Sequence, residues 1–367
     1  MRYNTSFQPL AFDKVLPYEG QVDCLVYENG KPYLQIRAPK ALEVQFRINE
    51  VEYPCHKDDD GVWKMPYTAE GAINYVQLLV DGVEVLTPML PISYGYSRPY
   101  NYVELDAEDD FYGVKDVPHG SIRKEYFPSS VTGEWESCVV YTPPGYDESK
   151  ETYPVLYLQH GHGENEMGWT AAGKANFIMD NLIEEGSAKP FVIVMNNGMV
   201  QTQDDKGQRV VDFKLFEDYL LKDVIPFVEK KFRVGGKKEL RAMAGLSMGS
   251  LQTSIIGFTH PELFDALGVF SGFVTDIIQG SELDMPGRGP SDNKHLEILD
   301  ESDRFNSLFK VFFRSMGDKD PFWQFFRHDD KMLEEKGITQ IRNVYEGIHD
   351  WNVWRKSFRD FATLIFR

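Results

Sequence analysis

From about residue 135 to the end of the chain, strand-like and helix-like runs alternate almost without a break. "CVVYTPPGY" and "YPVLYLQHG" read as strands, "NFIMDNLIEEG" as a helix and "PFVIVMNNG" as a strand. Apolar residues recur at helical spacing in "FEDYLLKDVIPFVEKKF", followed by a strand in "ELRAMAGLS" and a helix in "MGSLQTSIIGFTH". Strands in "ALGVFSG" and "LFKVFFRSMG", a helix in "PFWQFFRHDDKMLEEKG", a strand in "ITQIRNVYEG" and a closing helix in "NVWRKSFRDFATLIF" complete the series. Such alternation predicts a mostly parallel sheet covered by helices on both faces.

The preceding residues are built differently. Short strand-like runs fill residues 20–104: "DCLVYENGKPYLQIRA", "LEVQFRINEVEY", "GVWKMPYT" and "INYVQLLVDGVEVL". Asn29-Gly30 and Asp81-Gly82 are strong two-residue hairpin signals. No helix-length periodic stretch interrupts them, so a small all-β sandwich is expected over residues 1–104. A connector is expected over 105–134, with the tyrosine-rich "YGYSRPYNY" leading into it, and a second domain over 135–367. Trp63 belongs to a strand core on this reading, with stacking on a sugar as its alternative.

The net charge of −18 argues against nucleic acid or an anionic membrane as partner, because phosphate binding needs clustered Lys and Arg. No apolar run approaches the roughly 18 residues of a membrane span. The N-terminus, "MRYNTSFQPLAFDKVLPYEG", lacks an apolar h-region. No signal peptide is therefore expected in this chain. A cytoplasmic location follows for it as written, and a secreted or periplasmic one if a signal had been removed. Cys24, Cys55 and Cys138 form no C-x-x-C pair, which disfavours zinc. Free buried thiols are expected, with a Cys24–Cys55 bridge as the alternative.

"RAMAGLSMGSLQT" then gains a meaning. Gly245 and Gly249 flank Ser247 between a strand and a helix, the context of a nucleophile elbow. A serine hydroxyl needs an adjacent base, and in this fold the chain order is serine, acid, histidine. Four histidines follow Ser247. His260 ends the helix after the elbow, His295 lies in a polar loop and His328 falls inside a charged helix. His349 follows the last predicted strand, on the sheet edge where the elbow opens, and is the expected base. Asp318 and Asp320 in "FFRSMGDKDPFW" both qualify as the acid, with Asp276 a third choice. Asp320 also precedes Pro321 as a helix cap would. For an oxyanion hole the backbone N–H of Met248 is one expected donor. The loop "LQHGHGENEMGW" supplies the other, with Gly161 letting the backbone turn and His162 giving the N–H. His160 and His162 could share one face of a strand, but no third ligand is evident, so no metal is expected.

Together, "DFYGVKDVPHGSIRKEYF", "VVYTPPGYDESKETYPVLYLQHGHGENEMGW", "GKANFIMDNLIEEG", "AGLSMGS", "THPELFDALGVFSG", "GDKD" and "HDWNVWR" resemble the esterase D-like branch of the α/β-hydrolases. More closely they resemble the carbohydrate esterases of family 1, the feruloyl and acetyl-xylan esterases. The likeness spans roughly residues 110–367. The first hundred residues are similar to the early-set, immunoglobulin-like β-sandwiches that precede such enzymes. The resemblance implies an α/β-hydrolase with a mostly parallel sheet, preceded by a small all-β early-set sandwich that resembles a carbohydrate-binding module. It also implies a triad of Ser247, Asp320 and His349, since its G-x-x-D motif ends on Asp320. Relatives carry a second glycine where this chain has Ser250, which implies tighter helix packing without loss of activity.

What the resemblance implies about activity is a serine esterase acting on acylated plant polysaccharide or oligosaccharide, feruloyl before acetyl, without cofactor. A siderophore esterase and a carbohydrate-binding protein on an inactive hydrolase scaffold are the rivals. Trp169, Phe273, Phe322 and Trp323 could line a pocket for a cinnamoyl ring or fill the core at loop bases. The sandwich is expected to shape substrate use rather than carry chemistry. The motifs leave the oligomeric state open.

Overall fold

The computed structural model describes residues 20–105, 110–275 and 293–367. Asp276 lies outside the described residues. The chain divides into two compact units, Met1–Asp109 and Asp110–Arg367.

Among the described residues of the first unit, all strand pairs are antiparallel. One sheet runs in the order Leu25–Glu28, Lys31–Arg37, Val62–Pro66 and His56–Lys57. The other runs Val51–Pro54, Val44–Ile48, Ile73–Val80, Arg98–Glu104 and Ile92–Gly95, with Val83–Val85 on Ile73–Val80. Leu34, Ile36 and Met65 of one sheet meet Phe46, Val76, Leu78 and Val103 of the other in a shared core. Both expected hairpin turns form, with positive φ at Asn29, Gly30, Asp81 and Gly82. Trp63 is buried in this core and donates its indole N–H to the Ala38 carbonyl at 2.9 Å, so it is not a surface platform. Cys24 and Cys55 are free thiols, as is Cys138. The tyrosine-rich stretch is not a linker: it forms the hairpin of Ile92–Gly95 and Arg98–Glu104.

The second unit holds one eight-stranded sheet. Its strands in chain order are β1 (Ser121–Pro128), β2 (Trp135–Thr142), β3 (Val155–Gln159), β4 (Val192–Asn196), β5 (Arg241–Leu246), β6 (Ala266–Phe270), β7 (Val311–Gly317) and β8 (Ile341–Tyr345). In space they run β1-β2-β4-β3-β5-β6-β7-β8. Antiparallel pairs join β1 to β2 and β2 to β4; the remaining neighbours are parallel. Every residue of β3, β4, β6 and β7 is buried, as expected of strands covered on both faces. The edge strands β1 and β8 remain partly exposed. Strand β1 lies inside the stretch expected as a connector, so the sheet begins before residue 135.

Five helices matter for the site: α1 (Ala175–Glu184), α2 (215–231), α3 (Met248–Thr259), α4 (Trp323–Glu335) and α5 (Trp351–Ala362). Phe358 and Phe361 of α5 pack on Trp169, Phe270 and Phe313. On the alternate side-chain set, Tyr157, Val194, Met243 and Leu267 share a core with Tyr219, Val228 and Ile256 of α2 and α3. Helix α2 widens to a π-turn over Tyr219–Val224, where the Ile225 N–H reaches back to the Leu220 carbonyl just before Pro226.

That π-turn carries Asp223, which ties α2 to the turn between β1 and β2. Its carboxylate accepts from the hydroxyls of Ser129 and Ser130, both at 2.6 Å, and from the N–H groups of Ser130 at 3.1 Å and Val131 at 3.2 Å. Burial works to raise its pKa, but these bonds outweigh burial and leave it lowered. Replacing Asp223 by Ala should cost about 2–4 kcal/mol in urea unfolding at neutral pH, since four donors lose a charged acceptor. A lowered carboxyl stabilises above its unfolded pKa and ceases to do so as pH falls through the folded one. The gap between wild type and variant should therefore close in acid; a gap independent of pH would contradict this role.

Candidate active site

The chain goes from β3 to β4 on one side, then returns to place β5 on the other side of β3. The strand order thus reverses between β3 and β5, the place where open α/β sheets bind ligands beyond their carboxyl ends. Gln159 pairs with Gly245 there, so the loop after β3 and the turn after β5 emerge side by side.

Ser247 occupies that turn with φ 51° and ψ −116°, a strained backbone for a residue with a side chain. The flanking glycines are required by contact. A Cβ on Gly245 would lie 2.4 Å from the Gly249 carbonyl oxygen, and one on Gly249 would lie 2.6 Å from the His160 carbonyl oxygen. Helix α3 therefore starts directly against β3, holding Ser247 outward. Ser250, in place of a second glycine, is buried and donates its hydroxyl to the Ser247 carbonyl at 2.5 Å. It fills space left by Gly272, where a Cβ would fall 1.5 Å from Ser250 Oγ.

Ser247 Oγ lies 3.0 Å from His349 Nε2, and His349 Nδ1 lies 2.7 Å from Asp320 Oδ2. With Nδ1–H donating to the carboxylate, Nε2 is left free to accept the serine proton. Asp320 follows β7 and is buried; its Oδ1 also accepts the Phe322 N–H at 2.9 Å in the turn leading to α4. One carboxylate thus shapes the helix start and orients the imidazole. Asp318 points elsewhere, accepting the Gly347 N–H at 3.0 Å, which fastens the loop carrying His349. The other histidines have separate partners. His260 pairs with Glu217, and His328 is exposed beside Asp329. His295 is buried on a short 3₁₀ turn, not in an open loop, and bonds the Val274 carbonyl.

The oxyanion-hole candidates separate in the same way. The N–H groups of Met248 and His162 have no hydrogen-bond acceptor among the described residues. The Gly161 N–H, by contrast, donates to Glu164 Oε2 at 2.9 Å and is not available as a donor. His160 turns its ring inward, with both nitrogens on backbone groups, which removes it from any metal pair with His162. No group of three or more His, Cys, Asp or Glu arranged for a metal occurs among the described residues. No helix there is long and apolar enough to cross a membrane.

One of the four aromatic candidates lies beside the histidine, and a second packs on it. The Phe322 ring is 4.9 Å from the His349 ring, and Phe273 packs on Phe322 at 5.9 Å. Phe325, one turn into α4 and not expected from sequence, joins them 5.7 Å from Phe273. Trp354 packs edge-on against His349 at 5.1 Å. Trp169 is instead core: 1% exposed, its indole N–H on the Gln159 carbonyl and its ring against Trp351. Trp323 stacks on Phe326 and under Arg342, apart from the Phe273 cluster. Phe273 is buried like Trp169, but its ring packs on Phe322 and Phe325, whereas Trp323 is half-buried and turned toward Arg342.

The sheet order, the reversal between β3 and β5 and the sharp turn at Ser247 define an α/β-hydrolase. The model of the Esterase family matches residues 129–363, and the chain belongs to that family. It is 38% identical over 268 residues, 69% of its length, to an endo-1,4-β-xylanase/feruloyl esterase of Xylanibacter ruminicola, of which it spans 36%. A solved ferulic acid esterase of Anaeromyces mucronatus, in complex with ferulic acid, is similar with a TM-score of 0.59 at 23% identity, covering 71% of this chain and 96% of that one. The enterobactin esterase of Shigella flexneri gives a TM-score of 0.63 at 13% identity, covering 92% of this chain and 94% of that one. At these identities the two solved structures speak for the fold.

Proposed function

We propose that this chain is a serine esterase that removes acyl groups, feruloyl and related hydroxycinnamoyl groups above all, from plant cell-wall polysaccharide or its oligosaccharides. The observation that carries the reading is the unbroken line Ser247 Oγ–His349 Nε2, His349 Nδ1–Asp320 Oδ2 at 3.0 and 2.7 Å. Ser247 attacks the ester carbonyl as His349 takes its proton. The tetrahedral oxyanion is held by the Met248 and His162 N–H groups. His349 then gives the proton to the departing sugar oxygen, which leaves as a hydroxyl, and water repeats the sequence on the acyl-enzyme. Asp320 keeps the imidazole in the tautomer that accepts at Nε2. No step needs a metal or cofactor.

The aromatic acyl group is favoured by the Phe322 ring beside His349, with Phe273 and Phe325 packed on it, and by the xylanase/feruloyl esterase relative. The net charge of −18 suits a neutral sugar ester better than an anionic substrate. A panel of methyl ferulate, acetylated xylan and enterobactin tests the choice, with the highest kcat/KM expected on methyl ferulate. Phe325→Ala should lower kcat/KM for methyl ferulate by about tenfold or more while changing p-nitrophenyl acetate turnover little, as expected for one lost apolar contact. Equal losses on both substrates would remove Phe325 from acyl recognition.

A further inference from the structure

In the proposed esterase, two backbone N–H groups on different elements must meet one oxygen atom, and the line from Ser247 to Asp320 does not set their spacing. Met248 opens α3; His162 lies in the loop after β3. A continuous run of hydrogen bonds joins these two places. Gln252 sits one turn beyond Met248 on the same side of α3. Its Nε2 donates to the Gly198 carbonyl at 2.8 Å. The Gly198 N–H donates to His160 Nε2, also at 2.8 Å. Because a backbone N–H can only donate, Nε2 bears no proton and Nδ1 carries it. Nδ1 in turn donates to the Gly161 carbonyl at 2.7 Å. His160 is buried, and burial lowers its pKa, so the ring stays neutral in this role.

The consequence lies in the peptide that joins Gly161 to His162. Its C=O and N–H point in opposite directions across a planar trans unit. Drawing the carbonyl onto the His160 ring therefore aims the His162 N–H the other way. The peptide before Gly161 is fastened as well, by its N–H on Glu164. A Cβ on Gly198 would lie 2.8 Å from Gln252 Oε1 and 3.3 Å from Met248 Cε, so a larger residue there would displace the Gln252 amide. Among the described residues Gln252 Oε1 is buried without a hydrogen-bond donor, so the amide bonds there through its N–H.

We infer that Gln252 and His160 are positioning residues which, through Gly198, register the His162 N–H against the Met248 N–H so that both reach one oxyanion. The inference rests on the esterase reading. It separates from that reading in a comparison of an aryl ester with its thionoester, whose C=S replaces C=O. Sulfur is a weak hydrogen-bond acceptor and draws little from the two N–H groups. A loss of registry must therefore fall on the oxygen substrate.

With the full chain, His160→Leu should lower kcat for the ester by about 10²–10³-fold, the cost of one misplaced oxyanion donor, with KM within about twofold. Its thionoester kcat should change less than about tenfold, so the ester-to-thionoester ratio collapses. His160→Asn, which keeps a donor near the Nδ1 position, should recover to within about tenfold of wild type. Gln252→Glu keeps the shape, loses the N–H and should shift the ratio in the same direction, about tenfold. Folded variants with an unchanged ratio would overturn the inference, whatever their kcat. If His160→Leu does not fold, Gln252→Glu decides alone. Failure of the esterase reading would look different: Ser247→Ala would still turn over the ester, or wild type would turn over neither substrate.

Discussion

Replacing Ser247 by Ala should abolish ester turnover, by about 10⁶-fold in kcat as in other serine hydrolases, while the protein remains folded. The change removes only Oγ. The Cβ stays, so the strained turn at φ 51° and the contacts of Gly245 and Gly249 are untouched. The lost hydrogen bond to His349 Nε2 supports chemistry rather than the fold. With the turn and its packing unchanged, the melting temperature should hold. The measurement is kcat on a p-nitrophenyl ester together with a thermal melt. Wild-type-like turnover by a folded variant would refute the mechanism.

The next largest effect concerns the two acids, and the structure gives each a different variant phenotype. In Asp320→Asn the side-chain oxygen has a reason to stay on the Phe322 N–H, as Oδ1 does now at 2.9 Å. The new NH₂ then faces His349 Nδ1, where the carboxylate oxygen stood at 2.7 Å. An NH₂ must donate, so Nδ1 becomes the acceptor and the proton moves to Nε2. An imidazole protonated at Nε2 cannot take the Ser247 proton, and kcat should fall about 10⁴-fold with little change in KM. In Asp318→Asn the amide oxygen can still accept from Gly347, so the loop keeps its tie and kcat should stay within about twofold. A crippled Asp318→Asn beside an active Asp320→Asn would shift the acid by two residues.

These two carboxylates also mark the limit of what the sequence conveys. Chain order and strand ends put Ser247 and His349 at one edge, because each follows a strongly apolar run of strand length. Spacing could not separate Asp318 from Asp320, since both leave β7 within one turn and only the direction of the side chain differs. Strand β1 was hidden for a related reason. As an edge strand it is mostly exposed and carries Arg123, Lys124 and Glu125, so it has no apolar run to announce it. The hairpin Gln201–Gln203 with Arg209–Val211 is polar and was missed likewise. Phe325 lies in a helix, Trp323–Glu335, whose many charged residues give it the sequence pattern of a solvent face. The contacts of Glu164 and His160 are made to backbone atoms, which leave no trace in residue identity.

The closeness of α3 to β3 has a consequence for how such a protein could diversify. Positions 245, 249 and 272 have no space for even one carbon atom. Random mutation there meets steric exclusion before it can sample new activity, so most of those variants are lost from any library. Phe322 and Phe325 are partly exposed, and their rings lie 6.3 Å apart at a tilt of 33°. In the proposed esterase, changes at these two positions would alter the shape offered to an acyl group while leaving Ser247, Asp320 and His349 where they are. Evolution of substrate range on this frame is thus channelled to the start of α4, and a library confined to residues 322 and 325 would explore more productive variants per clone than one spread across the elbow.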